Sequence, residues 1–327
     1  MVIEYSAGRE GTVKIIAIFA IAITIPQVRA ADDAFAVTQG KAYKFEKVAD
    51  GVYYASGGLG SNNVVIVNDQ DVVLVDDGTT PAAARALLQD IKLITTRPVK
   101  TVINTHFHYD HTDGNSIFPP DVEIIGHEYV RTAILTFNVL DREPYTTSSK
   151  NLATTDDIRR QLTEIKPTPP NTTYASKMTL HRGGREIQLL FLGHGHTGGD
   201  TFVYLPKERI VCTGDEDEGA RLAYMGDGLF DEWIATLEAL KKLDFTLVLP
   251  GHGRPFHEKA LITAFQSYLR DVVAKVTDLR RQGATPDQAA VSVDLTSHSK
   301  DFPDIKGPGA DLRGVRRIYE WLDENHK

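Results

Sequence analysis

Cysteine is almost absent from this sequence, because Cys212 is the only one among 327 residues. An internal disulfide is therefore excluded, and the fold has to depend on a sizeable hydrophobic core. Positive charge is also scarce: 36 lysine and arginine residues stand against 44 aspartate and glutamate residues, which gives a net charge of −8. This balance argues against nucleic acid as a partner and leaves a small-molecule substrate as the expectation.

The apolar run at the N-terminus is too short to cross a membrane. It covers residues 15–25, whereas a membrane-spanning helix needs about 20 apolar residues. Arg9 and Lys14 precede the run, and a small-residue pattern ending at Ala30 follows it. We therefore predict a signal peptide over residues 1–30, export to a bacterial periplasm or to the medium, and no stable membrane association after cleavage. An uncleaved anchor is the alternative.

The remaining chain, residues 31–327, alternates between strand and helix patterns. Short β-branched runs separated by turn residues predict strands, and Thr80 followed by Pro81 predicts the start of a helix over residues 80–94. Further helices are predicted over 229–244, 257–282 and 311–325. The order of these patterns favours an α/β protein with two β-sheets, roughly one in each half of the chain, and helices outside them.

Residues 105–115, "THFHYDHTDGN", concentrate histidine and aspartate to an unusual degree. They follow a β-branched stretch, 99–106, that predicts a buried strand. Because alternate residues of an extended chain point to the same side, His106 and His108 can converge on one point. Asp110 and His111 follow as the backbone turns. Imidazole nitrogens suit zinc, and carboxylates add harder ligands, so the stretch predicts two half-sites for adjacent metals.

Three later residues extend this predicted metal site. His196 lies in "LGHGHTGGD", Asp215 in "VCTGDED" and His252 in "VLPGHGRP". Each follows an apolar strand pattern and stands in a glycine-containing turn, where the backbone can approach closely. One such residue alone is a weak signal, whereas three of them beside the first cluster predict a shared site.

These motifs resemble those of the metallo-β-lactamase-fold superfamily, over about residues 45–255 of this sequence. The resemblance implies a single domain over residues 31–327, a four-layer αββα sandwich of two mixed β-sheets, with C-terminal helices over about 257–325. It also implies two zinc ions per chain, with iron or manganese as alternatives. The implied ligands are His106, His108 and His196 for the first ion, Asp110, His111 and His252 for the second, and Asp215 as the bridge. Asp76, in "VLVDDG", resembles the family's aspartate that supports the ligands.

The resemblance implies a zinc hydrolase that acts on an ester, thioester, lactone or β-lactam carbonyl. Two zinc ions would lower the pKa of a shared water to about 7, and Asp110 would orient it or carry a proton to the leaving group. Asp215 resembles the bridging residue of the glyoxalase-II-like and lactonase-like branches and differs from the cysteine of some β-lactamases. A mono-iron persulfide-dioxygenase-like enzyme, a phosphodiesterase and a binding module that has lost catalysis remain alternatives.

Several other residues are open to more than one interpretation. Cys212 is expected to be a buried strand residue, and His194 to have a supporting or loop role. Tyr224, in "RLAYMGDG", is a candidate donor to a developing oxyanion, although this segment is more typical of a turn. Residues 138–175 lack a clear strand pattern apart from a possible helix in "TTDDIRRQLTEI". We expect this segment to form a cleft wall or lid and to influence specificity.

Overall fold

Strands from the N-terminal half of the chain form the first of two β-sheets. The computed structural model describes residues 35–136 and 155–325, so the predicted signal peptide lies outside the described residues. Within these ranges, eight strands form a sheet in which the spatial order follows the chain order. They are β1 (Ala36–Gln39), β2 (Lys44–Ala49), β3 (Val52–Ser56), β4 (Asn63–Val67), β5 (Val72–Val75), β6 (Val99–Ile103), β7 (Glu123–His127) and β8 (Thr172–Tyr174). The strands are antiparallel from β1 to β5 and parallel from β5 to β8.

The second sheet contains five strands among the described residues, and it is also mixed. They are β9 (Lys177–Arg182), β10 (Arg185–Leu190), β11 (Phe202–Leu205), β12 (Ile210–Gly214) and β13 (Leu247–Pro250). Their spatial order again follows the chain, with antiparallel pairs from β9 to β12 and a parallel pair between β12 and β13. The expectation of roughly one sheet in each half of the chain is confirmed.

The helices connect strands or extend the C-terminal part. They are α1 (Pro81–Ile91), α2 (Tyr109–Thr112), α3 (Glu128–Thr136), α4 (Asp156–Thr163), α5 (Phe230–Lys241), α6 (Lys259–Arg281), α7 (Pro286–Ser292) and α8 (Leu312–Asn325). As predicted, Thr80 caps α1: its hydroxyl accepts a hydrogen bond from the Ala83 amide at 3.0 Å, and Pro81 occupies the first turn. Among the helices of the described ranges, we find none that combines the length and the apolar character of a membrane span.

Three buried layers define the sandwich. Between the sheets, apolar residues of one sheet, such as Ile66 and Val75, belong to one cluster with Ile187 and Val203 of the other. On the outer face of the first sheet, Leu87 of α1 packs with strand residues such as Leu74. On the outer face of the second sheet, Trp233 and Phe265 of α5 and α6 pack with Phe202 and Val211. The predicted αββα arrangement is therefore confirmed.

Two segments differ from the sequence-based expectation. The strand expected over 99–106 ends at Ile103, because the Thr105 amide donates to the side chain of Asp76 at 2.8 Å instead of continuing the sheet. In the segment 138–175, the expected helix is present as Asp156–Thr163, but Thr172–Tyr174 pairs with β7 as a strand. A strand of three residues is too short to display an alternating pattern. The part of this segment over 138–154 lies outside the described residues.

Candidate metal centre

The seven predicted ligands lie together at one edge of the sandwich, after strands of both sheets. The first sheet supplies four of them from the turn and short helix α2 that follow β6. The second sheet supplies three, from the loops after β10, β12 and β13. These ligands are His106, His108, Asp110 and His111 from the first sheet, and His196, Asp215 and His252 from the second. The site is therefore complete only where the two sheets meet.

Three imidazoles of the first group converge on one point. Nδ1 of His108 lies 3.0 Å from Nε2 of His106 and 3.0 Å from Nε2 of His196. Oδ2 of Asp215 lies 3.8 Å from the same nitrogen of His106 and 3.7 Å from that of His196. His106 and His196 are completely buried. This grouping matches the predicted ligand set of the first ion.

The second group lies on the other side of Asp215. Nε2 of His252 is 2.9 Å from Oδ2 of Asp110, and Nε2 of His111 is 3.7 Å from the same oxygen. Asp215 reaches this group as well, because its Oδ1 is 3.3 Å from Nε2 of His111 and its Oδ2 is 3.5 Å from Nε2 of His252. Asp215 thus lies between the two groups, which is the position that a bridging ligand requires.

The nitrogen and oxygen atoms of these side chains are arranged to bind divalent cations rather than to form hydrogen bonds with one another. Within each of the two groups, the candidate ligand atoms lie within 4.8 Å of one another. Nε2 of His111 and Oδ1 of Asp215 are buried and have no hydrogen-bond partner among the described residues. Nδ1 of His108 faces two imidazole nitrogens and can share a proton with only one of them. Buried polar atoms are normally satisfied, so cations bound at this point would explain the arrangement.

Two carboxylates outside the predicted ligand set orient the imidazoles. Oδ2 of Asp76 lies 2.8 Å from Nδ1 of His111, and Oδ2 of Asp227 lies 3.0 Å from Nε2 of His108. Because a carboxylate accepts hydrogen bonds, each contact places the proton on the ring nitrogen that faces away from the group of ligands. Asp76 was expected in this role. Asp227 was missed, since its motif "MGDG" was assigned only to a turn.

A further pair of acidic residues supports the loop that carries His196. The backbone amide of His196 donates to Oε1 of Glu216 at 3.0 Å, and the Thr197 amide donates to Asp200 at 2.8 Å. Burial raises the pKa of Asp200 to about 6 and raises that of Glu216 well above its ordinary value. Both residues stand beside predicted ligands in the sequence motifs, but no local pattern distinguished them from turn residues.

Burial and charge divide the histidines of the site into two kinds. Burial lowers the pKa of His106 well below its ordinary value and that of His196 to about 3. Both rings are therefore uncharged at neutral pH, which is the form that binds a metal ion. For His111, burial acts in the same direction, but the nearby carboxylates led by Asp215 outweigh it and raise the pKa. For Asp110, burial raises the pKa, yet the charges of His111 and His252 outweigh it and hold the value at about 2. The second group is therefore the more strongly ionic of the two.

A cleft of about 700 Å³ opens over the two groups. His108, Asp110, Asp215 and His252 contribute to its lining at the base. One wall consists of residues 221–225, and another consists of residues 304–311 with Arg313. Tyr224 lines the cleft, with its ring 5.5 Å from that of His108, centroid to centroid, and its role as an oxyanion donor stays a prediction.

Two other residues considered from the sequence lie away from both ligand groups. Cys212 is 2% exposed and belongs to the apolar cluster between the sheets, which confirms the expected strand position. Burial raises the pKa of its thiol far above the ordinary value. His194 is partly exposed and forms an ion pair with Glu232, whereas its carbonyl oxygen accepts a hydrogen bond from Thr236 at 2.7 Å. This environment agrees with a loop role for His194.

Residues 56–252 match the metallo-beta-lactamase superfamily, and this match spans more than half of the chain, so the protein belongs to that family. Within this family match, the two groups of histidine and aspartate side chains form a potential metal site.

Among curated relatives, the linear primary-alkylsulfatase of a Pseudomonas species is 24% identical over 77% of this chain and 53% of its own length. Metallo-beta-lactamase IND-1 of Chryseobacterium indologenes is 26% identical over 59% of this chain and 71% of its own length. The chain thus spans about half the length of the alkylsulfatase.

Solved structures show the same fold. The inverting sec-alkylsulfatase Pisa1 from Pseudomonas sp. aligns with a TM-score of 0.65 at 17% identity, over 84% of this chain and 49% of that chain. The DIM-1 metallo-beta-lactamase aligns with a TM-score of 0.54 at 19% identity, over 72% of this chain and 99% of that chain. At these identities the similarity establishes the fold alone.

Proposed function

We propose that this protein is an exported dinuclear zinc hydrolase that cleaves an ester-type bond of a small molecule in the cleft over the two ligand groups. The observation that carries the proposal is the position of Asp215, whose two oxygens lie 3.3 to 3.8 Å from imidazole nitrogens of both groups. Two zinc ions held by the two ligand groups would supply a water with a pKa near 7 and a Lewis acid for the substrate oxygen. Iron or manganese in place of zinc is the alternative metal content.

Asp110 is the residue we assign to proton transfer. Its side chain is 16% exposed, against 5% for Asp215, and it lines the cleft. Its low pKa keeps the carboxylate ionised at neutral pH, so it could accept the proton that the attacking water loses and pass that proton to the leaving group. Nε2 of His252 lies 2.9 Å from this carboxylate, so the two groups could hold the same ion. Asp215, more deeply buried, lies between the two groups of imidazoles and would offset part of the charge of the ions that they hold.

The cleft and the relatives support two candidate classes of substrate. A carbonyl ester, thioester, lactone or β-lactam remains the first expectation. A sulfate or phosphate ester is the second candidate, favoured by Arg221, Lys306 and Arg313 in the cleft lining and by the relatives named as alkylsulfatases. A mono-iron persulfide dioxygenase is less well supported, because Asp110, His111 and His252 form a second complete group of ligands beside the first.

The proposal is tested by metal analysis together with a hydrolysis screen. Protein purified from zinc-replete medium should contain about two zinc ions per chain. The screen should include lactones, thioesters, phosphodiesters, alkyl sulfates and nitrocefin, assayed before and after removal of metal with a chelator. One iron ion per chain with O₂-dependent turnover would contradict the hydrolase proposal. Hydrolysis that survives complete metal removal would contradict the role of the two ligand groups.

Export is a separate part of the proposal, supported by the charged, apolar and small-residue sequence over residues 9–30. Intact-mass measurement on the periplasmic fraction of a bacterial expression host should show a chain that begins at Ala31. A cytoplasmic protein that retains Met1 would contradict export without affecting the metal site.

A further inference from the structure

The wall of the cleft formed by residues 304–311 and Arg313 comes from a part of the chain that the superfamily match does not include. The match ends at residue 252, whereas this wall lies between the C-terminal helices α7 and α8. The ligand groups at the base of the cleft therefore lie within the matched range, and the C-terminal wall lies outside it. A wall of this origin is a natural place for substrate selection.

The C-terminal wall is held in place by backbone and core contacts. The amide of Gly309 donates to the carbonyl oxygen of Val293 at 2.8 Å, and the amide of Ala310 donates to that of Ala290 at 2.8 Å. Phe302, just before the wall, is fully buried in the cluster around α5 and α6. Fixed backbone reduces the entropy that binding has to overcome, so side chains on this wall can contribute to affinity.

Three lysine or arginine side chains line the cleft, and two of them already have a carboxylate partner. Arg221 lies 3.0 Å from Glu218, and Arg313 lies 2.6 Å from Asp311. Lys306, on the C-terminal wall, forms no ion pair or side-chain hydrogen bond with any residue that the structure describes. Among the described residues, Lys306 is therefore the lysine or arginine of the cleft whose charge has no direct partner. The chain as a whole has a net charge of −8.

Apolar side chains line the same cleft. Ile305 precedes Lys306 on the C-terminal wall, and Leu222 and Met225 belong to the other wall. Both Leu222 and Ile305 are partly buried against the large cluster around α5 and α6, so each leaves part of its surface to the cleft. A cation beside apolar surface matches a ligand that carries an anionic group on an alkyl chain.

We propose that Lys306 is a specificity-determining residue that binds the anionic group of an amphiphilic substrate, a carboxylate or a sulfate on an alkyl chain. This inference rests on the proposed function, because it takes the cleft over the ligand groups as the substrate site. Lys306 acts by charge on binding and takes no part in the chemistry.

The test measures binding of three eight-carbon probes to the zinc-loaded protein by isothermal titration calorimetry. Octanoate and octyl sulfate, used below their micelle concentrations, present the two kinds of anion, and octanamide presents the same chain without charge. The variants are Lys306→Glu and Lys306→Gln. The matched control is Lys300→Glu, which makes the same charge reversal at an exposed position outside the cleft lining.

Lys306→Glu should weaken at least one of the two anions by roughly fivefold or more, and Lys306→Gln should weaken it less. Octanamide should bind all variants equally, and Lys300→Glu should resemble the wild type. The loss should shrink in 1 M salt, where charges are screened beyond about 3 Å. If only one anion responds, its acidic group is the one that Lys306 prefers.

The inference would be overturned if each anion bound Lys306→Glu as tightly as it bound Lys300→Glu. It would also be overturned if the wild-type protein bound neither anion more tightly than octanamide. These outcomes are separate from a failure of the proposed function. Binding that depends on Lys306, in a protein that hydrolyses no substrate of the screen, would retain the inference and contradict the hydrolase.

Discussion

Oδ2 of Asp76 lies 2.8 Å from Nδ1 of His111, and the backbone of Asp76 holds the left-handed value φ 57°. The same carboxylate accepts hydrogen bonds from the amide and the hydroxyl of Thr105, both at 2.8 Å. Asp76 therefore follows the end of β5 and prevents β6 from continuing beyond Ile103. It also directs Nε2 of His111 toward Asp215. A strained backbone conformation at such a point is consistent with a functional constraint.

Asp76→Asn should weaken zinc binding by about 10- to 100-fold, the usual effect of changing a residue that orients a metal ligand. Asparagine tolerates the left-handed backbone, but its amide group would present a donor where the carboxylate accepts. Zinc affinity would be measured by competition with a chromogenic chelator. Asp121→Asn, at an exposed aspartate paired with Lys100, is the control. Wild-type affinity in Asp76→Asn would show that the contact does not support the ligand.

Asp110→Asn and Asp215→Ala should separate proton transfer from metal bridging. Asp110→Asn keeps the shape and one oxygen ligand, so it should retain more zinc but lose about 10²- to 10⁴-fold in kcat. Asp215→Ala should lower both the zinc content and the thermal stability, because it leaves the two groups of imidazoles and cations without the anion between them. Bound zinc, melting temperature and kcat would be measured for both variants.

Two outcomes would contradict these assignments. Full zinc content with near wild-type kcat in Asp110→Asn would remove Asp110 from proton transfer. Unchanged affinity for both zinc ions in Asp215→Ala would remove Asp215 from the bridge.

Gly251→Ala should disrupt the metal site, since a Cβ atom at Gly251 would lie 2.3 Å from Oδ1 of Asp215 and 2.8 Å from Cε1 of His111. Both contacts are shorter than atoms tolerate, so both side chains, or the backbone at Gly251, have to move. The expected result is loss of zinc with little change in secondary structure, measured by metal analysis and circular dichroism. Gly184→Ala is the control, because nothing lies within 4 Å of its added Cβ. Equal zinc content in the two variants would be evidence against the tight packing around Asp215.

Cys212 should resist thiol reagents in the folded protein, because burial removes it from solvent and raises its pKa. Reaction with a chromogenic disulfide reagent should release less than a tenth of one equivalent in native buffer and about one equivalent in denaturant. Ser299→Cys, at an exposed position, provides a fast-reacting control. Labelling of the native wild type at the rate of Ser299→Cys would contradict the buried position between the sheets.

The ligand residues were accessible to sequence reasoning because they are concentrated in short motifs. His106, His108 and His111 lie within six positions, and each later ligand follows an apolar strand with glycine beside it. The structure brings all seven side chains together, and their binding of metal stays a prediction. The two-sheet architecture was also predictable, since the strand patterns fall into two groups along the chain.

The supporting residues and the cleft walls were not predictable in the same way. Asp227 contacts His108 across 119 positions of sequence, and no local pattern marks such a distant pair. Lys306 is an exposed lysine in a loop, so only the fold places it at the cleft. The strands Ala36–Gln39 and Thr172–Tyr174 are short, and they exist because a neighbouring strand offers free backbone groups.

The sequential strand order of both sheets has a consequence for the order of events in folding. Each strand pairs with its neighbour in the chain, so either sheet can assemble through connections between successive strands, without waiting for the other. The metal site cannot form from one sheet alone, because His106 and His111 follow strands of the first sheet whereas His196 and His252 follow strands of the second. High-affinity metal capture is therefore expected to come after the sheets dock, and a newly made chain would pass through a metal-free native-like state before it becomes competent.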